Sequence, residues 1–286
     1  MSLFFVDSSC DLDLQQIKSL GIECFQLPFV LNGEEGCVNP GFDYHKFYSK
    51  LRKGIVVSGK NLTEKAYIKI FEPALKMGDD IVYIHASEYV YNTDKLYDAK
   101  TKLLELYPDR KFEIVDSKNF SAGYGAVCFL LALAYHNGST IDEIVEYYHE
   151  VKDTIATYFI LDNVDNIPDK ALINPKTMVG SALNIKTIVA ITIDGKIKVV
   201  EKISGKKRAI MKLVQLVRQT GENVADNPIF VATSSSTDEI QYLEEKLKEY
   251  FGSDLKLFKN YITPTNASIV GNQSVGIAFR VHRKIN

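Results

Sequence analysis

Four short apolar runs in this chain stop abruptly at hydroxyl or carboxylate residues. Leu3-Phe4-Phe5-Val6 meets Asp7-Ser8-Ser9, and Ile81-Val82-Tyr83-Ile84 meets His85-Ala86-Ser87. Phe112-Glu113-Ile114-Val115 meets Asp116-Ser117, and Ile229-Phe230-Val231-Ala232 meets Thr233-Ser234-Ser235-Ser236. Short runs rich in β-branched and aromatic residues read as buried strands. A helical pattern follows each one, which predicts parallel strands joined by crossover helices. Ligands of such sheets sit beyond the carboxyl ends of the strands. Those ends carry small hydroxyls and almost no cations here, a composition suited to hydrogen-bonding a small polar head group rather than neutralising a triphosphate.

The same patterning divides the rest of the chain. Apolar positions at Leu12, Leu14, Ile17 and Leu20, closed by Gly21, predict a helix over Asp11 to Leu20. Ile22 to Leu31 reads as one extended strand bent or placed at an edge by Pro28. Helices are predicted from Tyr44 to Leu51, Thr63 to Lys76, Asn92-Thr93 to about Leu106, Ala122 to His136 and Ile141 to about Ala156. A brief extended piece at Ile55 to Ser58 also ends on a hydroxyl. Beyond Tyr158 the texture changes. Asn163 to Lys176 is loop-like, with two prolines and five Asp or Asn residues, and Asp194-Gly195 between two apolar runs is a strong hairpin signal. Helices at Lys206 to Gln219 and Thr237 to Phe251 flank the strand at Ile229, and the chain closes with β structure at Leu255 to Tyr261 and Val275 to Val281. The expected architecture is therefore a two-domain α/β protein. Residues 1–157 form a mostly parallel sheet flanked by helices, and residues 158–286 form a second α/β domain with a mixed sheet.

Composition narrows the function. With 46% apolar and 24% charged residues the balance is that of a soluble globular chain. A net charge of −2 argues against a nucleic-acid surface. There is no signal peptide and no apolar stretch of about 18 residues, so no membrane span is expected and a reducing cytoplasm fits best. Cys10, Cys24, Cys37 and Cys128 show no CxxC pair and no histidine at zinc-ligand spacing, so neither a metal site nor a disulfide framework is expected.

The candidate chemistry is modest. Asp7-Ser8 and Asp116-Ser117 are placed either to contact a ligand at strand ends or to cap helices and tie turns. Their convergence with Ser58 and Ser87 favours a pocket. His85 lies two residues before Ser87, but no GxSxG elbow and no Ser-His-Asp order is present. Ser58-Gly59-Lys60 and Ser204-Gly205-Lys206-Lys207 lack the full phosphate-loop pattern, so no nucleotide cofactor is expected.

Five motifs in order resemble the DegV family of fatty-acid-binding proteins over essentially the whole chain. Val6-Asp7-Ser8-Ser9-Cys10-Asp11-Leu12 is similar to that family's TDSTADL opening, and Gln26-Leu27-Pro28-Phe29 to its xxIPL strand. Ile114-Val115-Asp116-Ser117-Lys118 with Ser121, Gly123 and Gly125 resembles xxIDSKxxSxGxG. Ser181-Ala182-Leu183-Asn184-Ile185-Lys186 followed by Asp194-Gly195-Lys196-Ile197 resembles xxLNIKPIL and DGxI, and Val275-Gly276-Ile277-Ala278-Phe279 the closing segment. The resemblance implies a non-catalytic protein holding a long-chain fatty acid between its domains, a need that the apolar helix Val127 to Leu133 and the hairpin would serve. It also implies a partner, a separate ATP-dependent fatty-acid kinase to which the carboxylate is presented.

The head-group motifs depart from that pattern. TSQP appears as Val57-Ser58-Gly59-Lys60, and SSGLSGT as Ser87-Glu88-Tyr89-Val90-Tyr91-Asn92-Thr93. The GGR after the first inter-domain strand is absent from Asp162 to Leu172, and HxGPG appears as Ile269-Val270-Gly271-Asn272-Gln273 without its histidine. Two hydroxyls that hold the carboxylate in the family are thus lost. The head group is expected at Ser58, Ser87, Tyr91, Asn92 and Thr93, with Asp7, Ser8, Asp116 and Ser117 supporting the loops. Tyr91 is placed either to donate to the carboxylate or to fill the tunnel. The alternatives are a different polar ligand, a hydrolase using Ser87 with His85, and an accessory subunit that only docks a partner.

Overall fold

A computed structural model describes residues 2–173, 184–234 and 237–286. The motif at Ser181 to Leu183 and the serines at 235 and 236 lie outside the described residues. In chain order the elements are β1 (Ser2–Asp7), α1 (Leu14–Leu20), β2 (Glu23–Phe25), β3 (Phe29–Leu31), β4 (Glu34–Gly36), α2 (Tyr44–Arg52), β5 (Val57–Gly59), α3 (Glu64–Lys76), β6 (Asp80–His85), α4 (Asp94–Leu106), β7 (Phe112–Asp116), α5 (Ala122–His136), α6 (Ile141–Val151) and β8 (Ile155–Leu161). They continue with β9 (Ile185–Ile191), β10 (Ile197–Ser204), α7 (Lys206–Thr220), β11 (Ile229–Thr233), α8 (Thr237–Phe251), β12 (Leu257–Tyr261), α9 (Pro264–Val270) and β13 (Val275–Arg280).

Three of the four apolar runs share one parallel sheet of order β2-β1-β6-β7. The fourth, β11, lies in a six-stranded sheet of order β10-β9-β8-β13-β11-β12, where only β11 and β12 are parallel. The antiparallel strand β13 inserts between β8 and β11, which makes this sheet mixed. A small antiparallel sheet, β4-β3-β5, sits apart.

Alternation along the strands assigns the layers. Phe5, Ile81, Tyr83 and Phe112 face α3 and α4, while Phe4, Val6, Val82 and Ile84 face a core that also contains Phe159, Val189, Phe230 and Ala278 of the second sheet. Tyr158, Ile160, Ile277 and Phe279 turn the other way, onto α7 and α8. Both sheets are thus covered on both faces, which is why their strands read as continuous apolar runs rather than as alternating ones.

Helix α5 lies between the two sheets, touching β1 on one side and β8, β11 and β13 on the other. Its sequence is apolar all round, as suits a helix buried on every side through its first two turns, and it reaches solvent toward its end, at Leu133 and His136. Close approach is purchased with glycine. A Cβ at Gly123 would fall 2.0 Å from Thr157 Oγ1, and one at Gly125 2.4 Å from the Cys10 carbonyl.

Local reading and structure part in three places. Ile22 to Leu31 is two strands in different sheets, because the chain leaves the parallel sheet after Phe25 and pairs β3 with β4 and β5. The first helix starts at Leu14, capped by a reciprocal Asp13–Gln16 box, and Asp11 adopts a left-handed backbone with φ 53°. The sixth helix ends at Val151, since Ile155 and Ala156 are drawn into β8 by pairing with Arg280 and Phe279. The Asp194-Gly195 signal is a hairpin between β9 and β10, with Gly195 at φ 87°. A helix at Pro264–Val270, unread in the sequence, follows β12.

Gly123→Ala tests the α5 contact. Forcing a methyl into that space is expected to lower unfolding free energy by about 1–3 kcal/mol, read as a lower denaturant midpoint. Gly138→Ala, where a Cβ meets nothing within 4 Å but φ is 94°, gives the cost of backbone strain alone for comparison.

Candidate functional site

Beyond the carboxyl ends of β1 and β6, a pocket opens between the start of α4 and helix α9. It encloses about 180 Å³, smaller than the roughly 300–1,000 Å³ usual for small-molecule sites. Lys60 and Asn61 after β5 and Asn92 and Thr93 before α4 line it, with Leu27, Val90, Leu96 and Ile269 as apolar wall and Asp7, Ser9, Tyr83 and His85 among its polar lining.

The α4 end is a helix N-terminus with unusual capping. Asn92 Oδ1 accepts from the Asp94 N–H at 2.9 Å, whereas Thr93, at the cap position, makes no side-chain capping bond. The Thr93 hydroxyl is therefore not committed to the helix, and the helix end adds partial positive charge.

The polar lining is built on Asp7, which is 2% exposed. Its Oδ1 accepts from the Ser9 N–H at 2.8 Å, and Oδ2 accepts from the Tyr83 hydroxyl at 2.7 Å. Tyr124 reaches over from α5, accepting from the Asp7 N–H at 3.2 Å and donating to the Ile84 carbonyl. Burial, reinforced by the Asp7 charge, holds both tyrosines well above the ordinary phenol range, so they remain donors. Of the sequence-predicted residues, Asp7, Tyr91, Asn92 and Thr93 come together at this pocket.

The others are placed elsewhere. Ser58 is exposed on β5, whose next residue, Gly59, lines the pocket. Ser87 is fully buried, donating to the Gly195 carbonyl at 2.7 Å and so tying β6 to the hairpin turn. A Cβ at Gly195 would sit 2.6 Å from the Ser87 oxygen. Ser8 faces away, accepting from the Leu27 N–H at 3.0 Å. Asp116 pairs with Lys118 at 2.8 Å, and buried Ser117 bonds within its own turn, accepting from the Asn119 N–H at 3.2 Å. Ser87 and His85 share no hydrogen bond, and His85 Nδ1 lies 2.6 Å from the Ala86 carbonyl. Among the described residues no group of three or more His, Cys, Asp or Glu side chains is arranged to hold a metal, and no helix is long and apolar enough to cross a membrane.

Sequence reading missed the contribution of α9, which shows no site motif of its own. Thr265, Ser268 and Ile269 complete the wall. Asn266, fully buried, accepts from the Tyr91 hydroxyl at 2.6 Å and donates to the Ser9 carbonyl at 2.8 Å. A second, more apolar cavity lies behind the wall, lined by Leu12, Val38, Phe42 and Tyr44 together with Ser8, Gln26 and Thr263. Adjacent residues thus line different cavities, Ser8 and Ser9 and again Gln26 and Leu27, as do Thr263 and Thr265 on either side of Pro264.

Asp11 fastens this wall. Its carboxylate accepts from the Thr263 N–H at 2.8 Å and from the Ser121 hydroxyl, linking the loop after β1 to the start of α9. Burial drives its pKa up from 3.8 to about 7, with the bonds from Ser121 and Thr263 pulling back.

The fold is an α/β arrangement of a parallel sheet, a mixed sheet and a small antiparallel sheet, with a candidate pocket where the parallel sheet meets α9. The family model described as "Uncharacterised protein, DegV family" matches residues 4–282, and this chain belongs to that family. A DegV domain-containing protein of Clostridium perfringens is 28% identical over 255 residues, 87% of each chain; a second from the same organism is 27% identical over 279 residues, 96% of each. Solved structures share the fold. A stearic acid-binding protein from Eubacterium ventriosum has a TM-score of 0.84 at 15% identity, covering 98% of each chain. The Streptococcus pneumoniae fatty acid kinase B3 protein loaded with linoleic acid has 0.80 at 17%, covering 98% of this chain and 100% of that one.

Two outcomes test this arrangement. A carboxyl whose pKa is raised by folding stabilises the native state fully below about pH 4 and progressively less as pH rises through about 7. Asp11→Asn is therefore expected to flatten a loss of stability, on the order of a few kcal/mol, that the wild type shows between those values in chemical denaturation. Ser87→Ala, which leaves the Gly195 carbonyl without its donor, is expected to cost about 1–3 kcal/mol of stability without changing ligand uptake.

Proposed function

We propose that this chain is a non-catalytic binding protein for a long-chain fatty acid, acting in the cytoplasm. The acid enters between the proposed domains, residues 1–157 and 158–286, with its carboxylate at the start of α4. Asn92 and Thr93 are the head-group residues, with Lys60 Nζ, now paired with Glu35 at 2.5 Å on the surface, near enough in sequence and place to add a cation. Ser58 takes a supporting part through the strand that carries Gly59, and Ser87 is spent on anchoring the hairpin turn. The observation that carries the reading is the uncapped Thr93 hydroxyl at a helix N-terminus lining the pocket. A carboxylate there receives hydroxyl and backbone N–H donors at once. That relatives of the same fold carry stearic and linoleic acid supports the choice of anion.

A hydrolytic role is disfavoured by the same geometry. The Ser87 hydroxyl is buried and spent on Gly195, with no base beside it. A head group near the surface could be presented to a separate ATP-dependent kinase, and the pneumococcal structure is of a protein named for a fatty acid kinase.

Mass spectrometry of an organic extract from gently purified protein is expected to find a fatty acid at about one per chain. In refilling experiments Thr93→Ala is expected to weaken binding by roughly tenfold to a hundredfold, the worth of one hydrogen bond to a charged group. An empty extract with no thermal shift on adding fatty acids would overturn the reading.

A further inference from the structure

The pocket at the start of α4 is short for an acyl chain. A methylene takes about the room of a water molecule, roughly 30 Å³, so 180 Å³ encloses about six chain atoms. Exposed residues, Gly59 to Asn61 and Asn92, surround the mouth, and the inner lining of Asp7, Ser9, Tyr83 and His85 is buried. That inner end is polar, and Asp7 and Tyr83 are bonded to each other at 2.7 Å, so it offers little to hydrocarbon.

Tyr91 stands where the pocket meets the core shared by the two sheets. Its ring stacks on Phe120, with centroids 6.3 Å apart and planes inclined by 29°. Phe120 is fully buried and lies 5.6 Å from Phe159 of β8. The Tyr91 hydroxyl donates to Asn266 Oδ1 at 2.6 Å, and Asn266 donates in turn to the Ser9 carbonyl at 2.8 Å. The ring is therefore held from two directions, by an aromatic neighbour and by α9. Its one hydroxyl proton is committed to Asn266, so Tyr91 brings the pocket bulk rather than a donor for a carboxylate.

We infer that Tyr91 sets the length of acyl chain this protein encloses, stopping it after about six carbons. This rests on the fatty-acid reading and narrows it: the first carbons of the chain fix affinity, and the remainder of a long chain gains nothing from the pocket. A smaller residue at this position would uncover Phe120 and the apolar core around it, surface that a hydrocarbon chain can bury.

Titration calorimetry on the delipidated full chain, with saturated acids from butanoic to hexadecanoic, tests this. In the wild type the association constant is expected to rise about fourfold per methylene up to about six or seven carbons and then to stop rising. Tyr91→Ala is expected to carry the rise on for about three more carbons, the room of the lost ring. Tyr91→Phe keeps the ring and loses the bond to Asn266, so the break is expected at the wild-type length whatever the change in affinity. A wild-type affinity that climbs through hexadecanoic acid would overturn the inference and leave the fatty-acid reading standing. So would a break that Tyr91→Ala leaves in place or that Tyr91→Phe moves. Binding of no acid at any length would overturn both. Should Tyr91→Ala not fold, Tyr91→Leu makes the same test with a smaller enlargement.

Discussion

Helix α5 is the constraint on which the rest of the structure depends. It has no polar face, so water is excluded from every side of its first two turns, where Ala122 through Cys128 are all buried. Two sheets supply the cover, and one apolar cluster runs through both of them. Each large side chain so buried contributes about 1.5–3 kcal/mol, and Phe129 extends the contact by packing its ring 5.4 Å from Phe230 and 5.2 Å from Phe258. The two halves of the chain therefore share a core, and the groups along their seam are fixed relative to each other. The pocket's polar lining depends on this directly, since Tyr124 reaches Asp7 and Ile84 from α5 itself.

The same seam explains the division of labour among the hydroxyls and carboxylates that end the strands. Position relative to the seam decides which become structural. Ser87 and Asp11 lie in it and are consumed in bonds to Gly195 and Thr263. Thr93 lies at a helix start beside open space and makes no capping bond, while Asn92 next to it is tied to Asp94 through both Oδ1 and Nδ2. Tyr91 stands between these cases, bordering the pocket while bound to Asn266 of α9. Ser121 marks the strain at the junction: a non-glycine residue at φ 51° whose hydroxyl is tied to Asp11. Such a conformation costs on the order of 1–3 kcal/mol and persists because its surroundings over-determine it.

Much of the secondary structure was legible because it rests on local signals. The α5 boundaries and the Asp194-Gly195 hairpin each depend on residues within a few positions of one another. The misreadings fall where distant pairing overrules local preference. Ile155 and Ala156 extend a helical pattern but are taken into β8 by β13, more than a hundred residues away. Gln26 to Pro28 interrupts an apolar run because its two ends belong to different sheets. Of the candidate site, the Tyr91–Thr93 segment was legible through its family motif, but α9 was not, since nothing in Pro264 to Val270 marks it as a wall.

The sequence by itself determined that this chain folds as an α/β protein with strand ends rich in small polar groups, because hydrophobic periodicity and turn chemistry act over short range. Only the tertiary structure decided which of those groups line the pocket. Whether a serine hydroxyl is free or spent depends on what the fold brings opposite it, and for Ser87 that partner is the Gly195 carbonyl. Such pairings come from the packing of two sheets against one buried helix, and no local pattern records them.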